Sequence, residues 1–226
     1  MTLQFDPQND FAKVADDLQS ITLMRPGSSM SVVISKALRR STITTDLSTT
    51  RNTHAANAKP ATQKGFTASD VAWHFATSAL SETPQPGDLI LSADAQRWTV
   101  LAVKQMTLQT RWVCVCRNLA VVHGLNGYID IERATYAKGD NGADEPIWRI
   151  WKTGLRASIQ PVNAEVTDQN QRRTTNERFK ILLADVVAID HEHRIKGPDG
   201  TRYRVVGFRK AERIDALMQI DVVRIL

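Results

Sequence analysis

The chain has 226 residues, 42% hydrophobic and 23% charged, an ordinary globular composition that excludes a fibrous or largely disordered protein as the starting expectation. Its length suits one large domain or two small ones. The longest apolar run, Ile181 to Ile189, carries Asp185 and falls well short of the ~20 residues of a membrane-spanning helix, while the net charge of +5 raises the question of a polyanionic partner.

In chain order, the first predicted element is a short helix. Asp6 can cap it, Pro7 suits its first turn, and Phe11, Val14, Ala15 and Leu18 fall on one face. The aspartates at 6, 10, 16 and 17 stand where a signal peptide would carry lysines before an apolar core, so synthesis in the cytoplasm and no membrane partner are expected. Strand-like runs follow at Ile21–Arg25 and Met30–Ile34. The stretch from Ser35 to Phe66 then holds six bases, Lys36, Arg39, Arg40, Arg51, Lys59 and Lys64, against one acid, Asp46. Rich in Ser, Thr, Asn and Ala, with no aromatic before Phe66, it reads as a long polar loop that cannot pack a core of its own.

Beyond the loop come a strand at Val71–Phe75, a hairpin over Asp88–Lys104 and a strand at Thr110–Arg117. This order then recurs. Ile21–Arg25 matches Ile129–Arg133, and Val71–Phe75 matches Phe179–Leu183, both 108 positions on. The hairpin matches His193–Arg209 at 105 positions, with Asp94, Arg97, Trp98 and Val100 in register with Asp199, Arg202, Tyr203 and Val205. Asp199-Gly200 is a strong two-residue hairpin signal. Met30–Ile34 is matched more weakly with Leu155–Ile159, and the second copy's loop, Gln160 to Thr175, carries Arg172 and Arg173. Residues 134–154, with Trp148 and Trp151, read as a turn-rich insertion that packs back through its tryptophans. The expected fold is therefore mainly β: two tandem small barrels or sandwiches of similar fold, residues 1–120 and 121–226, with one short N-terminal helix.

Chemistry-bearing motifs are sparse. Cys114 and Cys116 would share one strand face as free thiols, and no further cysteine completes a zinc site. His191-Glu192-His193 lacks a third ligand at suggestive spacing, so neither a metal nor a cofactor is expected. No nucleophile elbow, phosphate-binding glycine loop or metalloprotease helix signature is present, and enzymatic activity is the weakest reading.

The second half resembles the head-closure or head-tail joining (connector) proteins of tailed bacteriophages. The resemblance lies in Ile129–Arg133, Trp148, Ala157-Ser-Ile-Gln-Pro161, Thr175, Arg178-Phe-Lys-Ile181, His193-Arg-Ile195 and Tyr203-Arg-Val205. It covers nearly all of 121–226 and reaches the first half only through the internal repeat. It implies a virion protein forming a ring between portal or adaptor proteins and the tail, closing the DNA-filled head in six or twelve copies, with a long internal loop facing packaged double-stranded DNA. On that basis Arg39, Arg40, Arg51, Lys59 and Lys64, with Arg172 and Arg173 second, are the expected DNA-channel residues, giving sequence-independent phosphate attraction. A tail-terminator or tail-completion ring is the neighbouring alternative. A two-module nucleic-acid-binding barrel protein is a more distant one, because the basic loop lacks interleaved aromatics for base stacking.

Overall fold

The computed structural model describes residues 15–42, 69–106, 109–139, 142–169 and 172–225, with backbone alone at 163–169 and 172–176. The chain divides into two compact units at Val122/His123. Unit one contains β1 (Leu18–Met24), β2 (Ser31–Ser41), β3 (Val71–Ala76), β4 (Leu89–Ser92), β5 (Arg97–Gln105) and β6 (Arg111–Arg117), then a single helical turn, α1 (Leu119–Val122). Unit two contains β7 (Gly127–Lys138), β8 (Asp144–Gln169), β9 (Arg172–Leu183), β10 (His193–Lys196), β11 (Arg202–Arg209) and β12 (Met218–Ile225).

Each unit closes into a six-stranded antiparallel barrel. Around the first the order is β1-β2-β3-β6-β5-β4, and around the second it is β7-β8-β9-β12-β11-β10, the same topology strand for strand. The register repeats as well: Leu23 opposite Ile90 becomes Ile131 opposite Ile195, and Ile90 opposite Trp98 becomes Ile195 opposite Tyr203. Even the irregularities recur, since the β5–β6 ladder slips between Val100 and Ala102 and the β11–β12 ladder slips between Val205 and Gly207. An inserted residue at a barrel strand sharpens the coil needed for closure, which explains why the bulge stands at one place in both copies.

Inward-facing residues fill each barrel. Ile21, Leu23, Ile34, Trp73, Phe75, Ile90, Val100, Cys114 and Cys116 are buried in the first. Ile129, Ile131, Leu155, Ile181, Leu183, Ile195, Val205, Ile220 and Val222 are buried in the second. Alternation at period two puts these on one face of each strand, and the polar remainder faces outward.

Four expectations change. The N-terminal helix falls on residues outside the described set except at its end, where Leu18 opens β1 opposite Leu38 instead of closing a helix. Ser35–Ser41 is strand, not loop: β2 pairs with β1 as far as Leu38 and with β3 from Ala37 to Ser41, and partners on both sides override a weak local β preference. Met30–Ile34 is not the counterpart of Leu155–Ile159, because Ile21 opposite Ile34 and Ile129 opposite Leu155 align β2 with β8 from Ile34 onward. Finally, the insertion at 134–154 and the loop at 160–175 are both ribbons. β7 and β8 stay paired out to Lys138–Asp144, and β8 and β9 out to Gln169–Arg172. Trp148 and Trp151 do pack back: Arg194 stacks over the Trp148 ring at 4.3 Å, and the Trp151 ring lies 4.8 Å from that of His193.

Candidate functional site

In both barrels the largest excursion leaves between the second and third strands. In the first it is the connection from Ser41 to Val71, of which 43–68 lie outside the described residues. In the second it is the β8–β9 ribbon. Arg51, Lys59 and Lys64 therefore lie outside the described residues, and the structure places only Arg39, Arg40, Arg172 and Arg173.

Arg39 and Arg40 are neighbours on β2 and face opposite ways. Arg39 stands opposite Trp73, a core residue, so it belongs to the inward face where β2 leaves the barrel. Its guanidinium lies over the Trp98 ring, 4.6 Å from the centroid, a cation–π contact. Arg40 stands opposite Ala72 on the outer face. There it adds to the positive field on His74, whose pKa falls to about 4 through burial first, then the charges of Arg111 and Arg40. Lys36 too is a strand residue, so half of the basic side chains of the 35–66 stretch sit on the barrel and not in the excursion.

Arg172 and Arg173 open β9 at the tip of its ribbon, opposite Gln169 and Asp168. Register thus sets one of the two bases across from an acid, and the ribbon also carries Glu165 and Glu177, so it is not a basic excursion. The chain's charge excess does not extend to this second site.

Other titratable clusters are structural in geometry. Asp70 is fully buried and accepts two hydrogen bonds from Arg117, from Nε and Nη2, each at 2.8 Å. Arg25 bridges Asp88 at 3.0 Å and Glu82 at 2.9 Å, tying β1 to the segment before β4. His193 is buried with Nδ1 2.6 Å from Asp190 Oδ1, and its ring packs on Trp151, while His191 is exposed. Among the described residues no group of three or more His, Cys, Asp or Glu side chains could hold a metal, and no helix is long and apolar enough to cross a membrane. Cys114 and Cys116 are free and buried. Burial, with the charge of Asp88, pushes the Cys114 thiol up to about 12, and burial pushes Cys116 further in the same direction, so neither is a ready nucleophile.

The first barrel has an open mouth that sequence reasoning missed. A cavity of about 570 Å³ is lined by Asp17, Leu18, Gln19, Arg39, Ser41 and Val71. No motif marks it; the signal in the sequence was the mismatch between the two copies at these positions, which becomes legible only once β2 is aligned correctly with β8.

No family model matches the chain, and no curated protein matches it. Among solved structures, a chain of the virion of native gene transfer agent (GTA) particle is similar at 12% identity and a TM-score of 0.38, over 45% of this chain and 96% of that one.

Proposed function

We propose that this protein is a structural component of a tailed-phage neck, forming a ring between portal and tail that closes the DNA-filled head and presents the tail's attachment surface. The observation that carries the reading is the pair of closed barrels of identical strand order, each interrupted between its second and third strands by its longest excursion. That is the layout the resemblance of 121–226 to head-closure proteins implies, and the structure extends the layout to the first half. In the ring, Arg51, Lys59 and Lys64 supply mobile cations toward packaged DNA, and Arg40 stands at the root of the same excursion. Such contacts attract phosphate without reading bases.

Two measurements test this. Electron micrographs of the purified protein, or of necks released from particles, should show rings of six or twelve copies; a strict monomer on the particle overturns the reading. Replacing Arg51, Lys59 and Lys64 with Gln, with β2 left intact, should weaken DNA retention and lower its salt dependence by about one unit of slope per lost phosphate contact. Rings that form normally and hold DNA with unchanged salt dependence would leave the closure role standing and remove the DNA role from this excursion.

A further inference from the structure

The two barrels differ most sharply at one end. Register equates Gln19 with Gly127 through their partners Ala37 and Ala157, Arg39 with Ile159 through Trp73 and Ile181, and the Ser41–Val71 pair with Pro161–Phe179. Two residues before Gln19 and Gly127, Asp17 corresponds to Leu125. In the second barrel these positions seal the end: Leu125 is 1% exposed, and Ile159 and Phe179 pack against the core. The Phe179 ring meets the Tyr203 ring edge-on at 5.3 Å. In the first barrel every one of these apolar plugs is smaller or polar, and the cavity stands in their place.

The cavity has a fixed floor and a mixed-sign wall. Trp98 is 4% exposed and its indole Nε1 donates to Ser92 Oγ at 3.2 Å, so the ring under Arg39 cannot swing away. A guanidinium stacked by its face keeps its N–H donors at the edge, in a fork that matches a carboxylate. Asp17 lines the same cavity, and the nearby carboxyl of Asp94, held below its usual range first by the Ser92 hydroxyl, also feels the charge of Arg39. Two acids beside one base do not suit a polyphosphate. They suit a ligand that brings one carboxylate together with N–H donors of its own, which is what a polypeptide segment offers.

We propose that the mouth of the first barrel is a docking pocket for a partner polypeptide, which inserts an acidic side chain against Arg39 and Trp98. Duplex DNA is too wide a rod to place a phosphate in a recess of this size, so the pocket is separate from the basic excursion. The inference does not depend on the neck assignment.

The test uses the full chain and N-acetylated, C-amidated pentapeptides Ser-Ser-X-Ser-Ser, with X as Glu, Gln or Lys, followed by NMR of the Arg39 Nε–H and Trp98 Nε1–H resonances. The Glu peptide should shift both saturably, and the Gln and Lys peptides should bind at least about tenfold more weakly. The Arg39→Gln variant should lose the response. The variant Arg39→Ile with Val71→Phe, which rebuilds the plug of the second barrel, should keep the barrel folded and abolish binding. Equal shifts from the Gln peptide, from inorganic phosphate or from a duplex oligonucleotide overturn the proposal. So does the absence of any shift, which would mean that the protein's own residues fill the mouth.

Discussion

Ala95 and Gly200 occupy one position in two copies of the same turn, with φ of 59° and 81°. The left-handed region costs an alanine about 1 kcal/mol or more and a glycine almost nothing, while glycine gives back part of this through the unfolded chain. Ala95→Gly should therefore stabilise the first barrel by about 0.5 kcal/mol, and Gly200→Ala should destabilise the second by about 1 kcal/mol, both read from urea midpoints. A Cβ at Gly200 would meet nothing within 4 Å, so the second effect is one of backbone alone. Disturbing the buried Asp70–Arg117 pair should cost more. Asp70→Asn removes the carboxylate that faces a buried guanidinium and should cost ~3 kcal/mol, whereas replacing both partners with apolar residues should cost much less. His74 gives the first barrel a pH dependence of definite sign. Its folded pKa of about 4 lies below the ordinary 6.5, so between those values the unfolded chain binds a proton that the barrel refuses. Stability then falls as pH drops through that window and His74 contributes no further loss below it; His74→Phe should flatten the slope of urea midpoint against pH.

At the scale of elements, the ribbon of β7 and β8 extends beyond its barrel and carries Tyr136, Ile147 and Ile150 at 60%, 46% and 57% exposure. These side chains contribute little to folding, so Ile150→Lys should leave stability within ~0.5 kcal/mol while reducing the assembled fraction in sedimentation if the ribbon seats a neighbouring copy. The strands with strict alternation, such as Ile129–Arg133, and the Asp199-Gly200 turn were legible in the sequence, because period two and turn chemistry are local. The ribbons were not. Gln160 to Thr175 is polar on both faces, having no core to meet, so it lacks the contrast that marks a strand. Likewise Ser35–Ser41 looks like the start of a loop until β1 and β3 claim its two edges. Of the candidate site, the basic content of 35–66 was plain in the sequence, but not that Lys36, Arg39 and Arg40 belong to the barrel, nor that Arg39 turns inward onto a ring 59 positions away.

For the whole molecule, two cores with no shared members imply two folding units. Residues 123–226 alone should give a dispersed NMR spectrum and a single cooperative unfolding transition, and an unfolded fragment would refute their independence. Barrel closure also determines where the backbone remains adhesive. Within each barrel the strands have neighbours on both sides, so no sheet ends there in a row of open donors and acceptors. The exceptions in the second unit are the ribbons: residues 134–138 of β7 and 144–156 of β8 pair along one edge only in the sheet ladders, as do 158–169 of β8 and 172–177 of β9. Pro146 sits on one of these borders and withholds an amide from it. At the high concentrations at which building blocks accumulate before use, the hazard of runaway strand-to-strand polymerisation in this unit is thus confined to two short ribbons, and a single imino acid helps to hold one of them in check.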